Sequence, residues 1–77
     1  MNKQTRKQLI SIAVELDSLR ARLEQIRDEE QEKFDNMPES FQNGERGEKM
    51  QASIDELENA LSSLEDIDNN IRDAQGE

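Results

Sequence analysis

Carboxylates are the only reactive side chains that this chain carries in quantity. It has 19 Asp and Glu residues but no His and no Cys. The densest run is Asp28-Glu29-Glu30-Gln31-Glu32, and carboxylates of this kind can hold hard metal ions. On a helix, however, Asp28 and Glu32 share one side whereas Glu29 points elsewhere. Di-iron carboxylate bundles also need a Glu-x-x-His pair, which this sequence lacks. We therefore interpret the run as a solvated charged surface and expect no metal and no cofactor.

The sequence also lacks the residue patterns that other kinds of catalysis need. The serines have no nearby base to activate them. Without His or Cys, the chain also lacks the commonest general base and the thiol nucleophile. No glycine-rich phosphate-binding loop occurs. The sequence therefore predicts that the protein is not an enzyme.

Leucine and isoleucine recur at spacings of three and four in two separate segments, as in helices of a coiled coil. The two series mirror each other about residue 40. The expected pairs are Ile26 on Ile54, Leu23 on Leu57, Leu19 on Leu61, Leu16 on Leu64, Ile12 on Ile67 and Leu9 on Ile71. This symmetry predicts an all-α fold, an antiparallel two-helix coiled-coil hairpin with those residues in its seam. The choice of Ile67 over Asp68 predicts a local shift of the heptad phase.

The predicted hairpin is a single domain covering residues 1–77. Helix 1 is expected at about 3–34, the turn at 35–44 and helix 2 at about 45–74. Pro38 disfavours helical geometry in the preceding residue, and Asn43-Gly44 is a turn signal. At the turn end of the hairpin, Phe34, Met37, Phe41 and Met50 are expected either to plug that end or to contact a partner.

A single hairpin of this composition has little apolar surface to bury. Only 31% of the residues are hydrophobic and 38% are charged, and chains this small often need a second subunit for stability. Ile10, Ala13 and Val14 widen the apolar side of helix 1 beyond what a two-helix seam uses. We expect these residues to form a homodimer surface, which would complete a four-helix bundle.

Negative charge is concentrated in the second half of the chain. Residues 1–34 carry seven basic and seven acidic side chains, whereas residues 35–77 carry three basic and twelve acidic ones, giving the net charge of −9. A candidate acidic face for a partner comprises Glu48, Asp55, Glu58, Glu65, Asp66 and Asp73. One interpretation is nucleic-acid mimicry, with carboxylates in the place of phosphates on a basic protein. The other is an ordinary solubilising surface.

The same charge disfavours nucleic acids and anionic membranes as direct partners. A minor alternative is nucleic-acid binding through Lys3, Arg6, Lys7, Arg20, Arg22 and Arg27. These residues are interleaved with acids and lack aromatic neighbours for base stacking. The apolar stretch after the basic N-terminus is too short for a signal peptide or a membrane span, so we expect a cytoplasmic protein.

The sequence of the turn and of the helix after it can also be compared with known kinds of protein. The segment from Asp35 to Gly47, with Asn-Met-Pro-Glu-Ser followed by Glu-Arg-Gly, and the acidic helix after it resemble short uncharacterised proteins of bacteriophage and bacterial genomes. The resemblance covers roughly residues 15–70. It implies a shared hairpin and a phage-type protein, which would act in the host cytoplasm. It carries no catalytic residues over to this chain.

Together these observations predict a non-enzymatic interaction protein. The leading hypothesis is a small acidic phage-type protein that binds and inhibits a larger host protein or defence complex, one that is basic or handles nucleic acid. The alternative is a structural or assembly coiled coil whose main role is homo-oligomerisation or scaffolding.

Overall fold

The structure, a computed structural model, describes residues 1–76. Three helices follow one another: α1 (Lys3–Asp35), α2 (Glu39–Gln42) and α3 (Glu45–Gln75). No strand occurs in the described part of the chain. The all-helical fold class predicted from the aliphatic periodicity is confirmed.

Local signals explain where α1 begins and ends. The side-chain oxygen of Asn2 accepts a hydrogen bond of 2.8 Å from the backbone N–H of Thr5, and so caps the helix. No Gly or Pro interrupts the helix that follows. It ends at Asp35 because Pro38 soon afterwards favours extended backbone at Met37.

The connection between the long helices is held by α2. The side-chain amide of Gln42 donates a 2.8 Å hydrogen bond to the backbone carbonyl of Phe34, so α2 is tied to the end of α1. Gly47 lies in the first turn of α3, where a Cβ atom would overlap the carbonyl oxygens of Phe41 and Gln42. Glycine is therefore needed at position 47 for this close approach.

The molecule is elongated, with principal extents of 58 × 15 × 12 Å. At a rise of about 1.5 Å per residue, the 33 residues of α1 alone are about 50 Å long. Contacts join α1 to α3 and α2 to α3. The two long helices therefore lie alongside each other rather than end to end.

Burial defines an inner face on each long helix. The buried residues of α3 recur every seven positions: Gly47, Ile54, Leu61 and Asp68. A half-buried row lies beside them and consists of Met50, Leu57, Leu64 and Ile71. The inner face of α1 is half-buried and consists of Leu9, Ala13, Leu16, Arg20, Leu23, Arg27, Glu30 and Phe34. Both patterns are heptad repeats, as in a coiled coil.

Three residues that we predicted for the seam of α1 lie outside it. Ile12, Leu19 and Ile26 are exposed, at 44–46% of their surface. Contact with one neighbouring helix covers about two positions per heptad, and only one of the two fully apolar rows of α1, that of Leu9, Leu16 and Leu23, lies in the inner face. Arg20 and Arg27 occupy the inner positions instead, since their aliphatic stems can cover apolar surface while the guanidinium groups stay in water.

The predicted phase shift in α3 is also wrong. Ile67 is exposed at 43%, whereas Asp68 is 8% exposed and continues the row of Ile54 and Leu61. The heptad repeat of α3 therefore runs on without interruption. The Asp68 carboxylate is tolerated there because it forms an ion pair of 3.1 Å with Arg72, one turn further on.

Candidate interaction surfaces

The six α3 carboxylates that we predicted to face a partner all lie in solvent. We call them the acidic surface: Glu48, Asp55, Glu58, Glu65, Asp66 and Asp73. Their spacing places them on one continuous side of the helix. Within residues 1–76 none of them forms an ion pair with a basic side chain. Their charge is therefore available to a basic ligand.

Helix α1 has its own carboxylates beside its inner face. Asp17 and Glu24 flank Arg20, whose guanidinium group lies 3.3 Å from Asp17 and 3.9 Å from Glu24. Each of these contacts is exposed and contributes little to stability, about 0.2–1 kcal/mol. Their effect is to hold the Arg20 head group at the edge of the inner face, between two acids.

Two apolar side chains stand in solvent near the start of α1. Ile10 is 52% exposed and Val14 is 63% exposed, and their spacing of four places them next to each other on the helix. The predicted oligomer surface also included Ala13. The structure corrects that assignment, because Ala13 is half-buried and belongs to the inner face.

A second strip follows each inner face, and on α1 it is both apolar and exposed, whereas on α3 Ser53 is polar and Ala60 is half-buried. On α1 it consists of Ile12, Leu19 and Ile26, each one residue before an inner-face position. On α3 the positions with the same relation are Ser53, Ala60 and Ile67. We call these six residues the apolar flank. The sequence signal for it was present, since Ile12, Leu19 and Ile26 form one of the two fully apolar rows of α1, the other being Leu9, Leu16 and Leu23.

A depression on α3 borders the apolar flank at Ser53. It is lined by Ala52, Ser53, Glu56 and Leu57, and its surface is mostly carbon. The small side chains of Ala52 and Ser53 leave this space open beside the half-buried Leu57.

The connection end carries an apolar cleft with a basic rim. Phe34, Met37 and Met50 are half-buried, but Phe41 is 53% exposed. Phe41 therefore does not seal the end, which corrects the plug interpretation for this residue. Arg46 and Lys33 lie at the same cleft. A hydrogen bond of 3.0 Å to Glu30, together with the charge of that carboxylate, raises the pKa of Lys33 above its usual value.

The part of the chain that the structure describes has neither a metal-binding cluster nor a helix suited to crossing a membrane. Among the described residues, no three His, Cys, Asp or Glu side chains are grouped in a way that could hold a metal ion. No helix in residues 1–76 is both long enough and apolar enough to cross a membrane.

Comparison with known proteins gives no family for this chain. No family model matches it, and no match is found among curated proteins or among solved structures. The resemblance to short phage and bacterial proteins therefore stays a prediction, and any function must be argued from the surfaces themselves.

Proposed function

We propose that this chain is a non-enzymatic protein-interaction module, an antiparallel helical hairpin whose acidic surface binds a larger, basic protein and blocks it. The observation that carries the proposal is the acidic surface itself, six exposed carboxylates on one side of α3 with no basic side chain among residues 1–76 paired to them.

The hairpin is supported by the overall dimensions and by the connection. A 58 Å molecule has no room for α1 and α3 end to end, and only residues 36–44 separate them. Even fully extended, residues 36–44 reach only about 32 Å, which is shorter than either long helix, so the chain cannot return to the start of α1 for parallel pairing. The proposed pairing brings the inner face of α1 against the inner face of α3, so that Leu16 and Leu23 cover Leu64 and Leu57.

Antiparallel pairing also determines which surfaces lie on the same side. Asp17 and Glu24 of α1 would then stand beside Glu58 and Glu65 of α3, around the single guanidinium group of Arg20. Like charges this close together repel one another and do not stabilise the hairpin. They instead create a strongly negative field, which attracts basic proteins and speeds their association.

An apolar contact completes the proposed binding surface. Val14 and Ile10 lie on the same side of the hairpin as the acidic surface, near Glu65 and Asp73. Protein interfaces commonly combine a small apolar centre with a charged rim. A protein that handles nucleic acid is the favoured partner class, because its basic groove would accept the carboxylates in the place of phosphates.

A pull-down from a bacterial lysate tests this proposal. The bait is the wild-type chain, compared with Glu58→Lys/Glu65→Lys and with the control Glu32→Lys/Glu39→Lys. Both double variants change the net charge equally, but the control residues lie outside the acidic surface. We expect the wild-type and control baits to recover a basic protein in stoichiometric amount. The Glu58→Lys/Glu65→Lys bait should not recover it. Equal recovery by all three baits, or no partner at low salt, would contradict the proposal.

The apolar flank favours a second candidate function. A chain that leaves Ile12, Leu19 and Ile26 in solvent is suited to assembly with further helices. The alternative role is therefore a structural coiled coil that joins copies of itself. Discrete large homo-oligomers with no foreign partner would favour this alternative.

A further inference from the structure

We infer that a second copy of this chain packs on the apolar flank, with α1 of each copy lying over α3 of the other, around a two-fold axis parallel to the helices. This inference goes beyond the proposed partner binding and uses the opposite side of the hairpin. It shares with that proposal only the antiparallel pairing of α1 and α3.

The number of apolar rows indicates a bundle. A helix in a two-stranded coiled coil uses two rows per heptad, whereas a helix in a four-helix bundle uses a third, adjacent row. In α1 the third row is Ile12, Leu19 and Ile26, all nearly half exposed in the single chain. Two copies that share this row would bury it, which is the remedy expected for so small a core.

The sizes of the side chains fix which helices face each other. The apolar flank has large residues on α1 and mainly small ones on α3, namely Ser53 and Ala60. If α1 lay over α1, Leu19 would meet large side chains while the small α3 positions faced each other across a void. With α1 over the other copy's α3, Leu19 lies over Ala60 and Ile26 lies over Ser53.

The depression on α3 fits the same arrangement. It is lined by Ala52, Ser53, Glu56 and Leu57, so it includes the position that Ile26 of the second copy would cover. Ile26 of the second copy would enter it as a knob enters a hole. The two-fold axis repeats this contact, so each copy would fill the depression of the other with its own Ile26.

Charges along the outer margins of the apolar flank are complementary in this orientation. The margin of α1 carries Arg22 and then Glu29, and that of α3 carries Lys49 and then Glu56, each pair one heptad apart. Because α1 and the other copy's α3 run in opposite directions, Arg22 meets Glu56 and Glu29 meets Lys49. The two-fold axis makes four such pairs. With α1 over α1, Arg22 would instead meet Glu15.

Electrostatic repulsion favours the apolar flank over Ile10 and Val14 for this contact. Each copy has a net charge of −9, so two copies repel unless their acids point apart. A dimer on the apolar flank keeps the acidic surfaces on opposite outer sides. A dimer through Val14 would bring them together. The apolar flank therefore suits the contact between two copies better than Ile10 and Val14, the surface predicted from the sequence.

Sedimentation equilibrium with charge-swapped variants of the full chain tests the inference. The wild type should sediment at twice its mass of 8.9 kDa. Arg22→Glu alone and Glu56→Arg alone should each weaken the dimer by about tenfold, since each loses two pairs and gains repulsion. The double swap Arg22→Glu/Glu56→Arg should return to within about threefold of the wild type, because opposite charges again face each other in both pairs.

Two matched controls keep the result specific. Lys7→Glu and Glu58→Arg make the same charge changes away from the apolar flank, and should leave the dimer unchanged. Circular dichroism should show equal helix content throughout. A wild-type monomer at all concentrations, or rescue of Arg22→Glu by Glu15→Arg and not by Glu56→Arg, would overturn the inference. Because Glu58 tests the acidic surface and Glu56 tests the dimer, failure of one proposal leaves the other standing.

Discussion

Replacing Asp68 with leucine should stabilise this protein, although it removes an ion pair. Asp68 occupies an inner-face position of α3 and is 8% exposed. Its carboxylate lies 3.1 Å from Arg72, which is itself mostly in solvent. A carboxylate taken out of water is unfavourable, and one exposed partner offsets only part of that effect.

The expected gain follows from burial. Burying a leucine side chain contributes about 1.5–3 kcal/mol relative to leaving it exposed. Loss of the contact with Arg72, an i,i+4 pair, subtracts about 0.3–0.5 kcal/mol. The net increase in the free energy of unfolding is therefore about 1–2.7 kcal/mol, which for a chain this small raises Tm by about 4–22 °C.

Thermal unfolding followed by circular dichroism measures this change. The control is Asp66→Leu, which has the same charge change and the same gain in helix propensity at an exposed position of α3. Comparison at several protein concentrations separates folding from association. If Asp68→Leu is no more stable than Asp66→Leu, position 68 is outside the inner face and the uninterrupted heptad of α3 is refuted.

Two further substitutions test the connection and the start of α1. Gly47→Ala should lower the free energy of unfolding by about 1–3 kcal/mol in chemical denaturation, because its methyl group overlaps the carbonyls of Phe41 and Gln42; a gain in stability, as expected for alanine in an open helix, would contradict the close approach. Asn2→Ala should lower it by about 1 kcal/mol, with Gln4→Ala as the neutral control, because Asn2 caps the helix.

The all-helical class could be predicted from the sequence because its signals are local. The ends of α1 follow from Asn2 and Pro38, and the regular leucines of α3 mark its inner face. Leu16 and Leu23 are half-buried in the inner face of α1, where a repeat of apolar residues would place them. Such signals depend on backbone geometry and periodicity, which can be read from the chain alone.

The rotation of α1 could not be predicted in this way. The row of Leu9, Leu16 and Leu23 can form an inner face with the row on either side of it. The sequence analysis paired it with the row of Leu19, which is fully apolar. The structure places Arg20 there instead. Hydrophobicity scales rank arginine as a surface residue, but its stem is apolar and can line an inner face. The burial of Asp68 was not predicted for a similar reason. Aspartate is rarely buried unless it is paired, and its ion pair with Arg72 is seen only in the structure.

The antiparallel pairing of α1 and α3 is the claim on which both proposed surfaces depend, and disulfide trapping tests it most directly. The natural chain has no cysteine, so Leu23→Cys/Leu57→Cys creates a single possible bridge between the two inner faces. In dilute solution this variant should oxidise to a compact monomer, because a disulfide requires Cα atoms within about 7 Å. The control Leu23→Cys/Ile71→Cys, two heptads out of register, should not close. A bridge in the control and none at Leu57 would contradict the pairing.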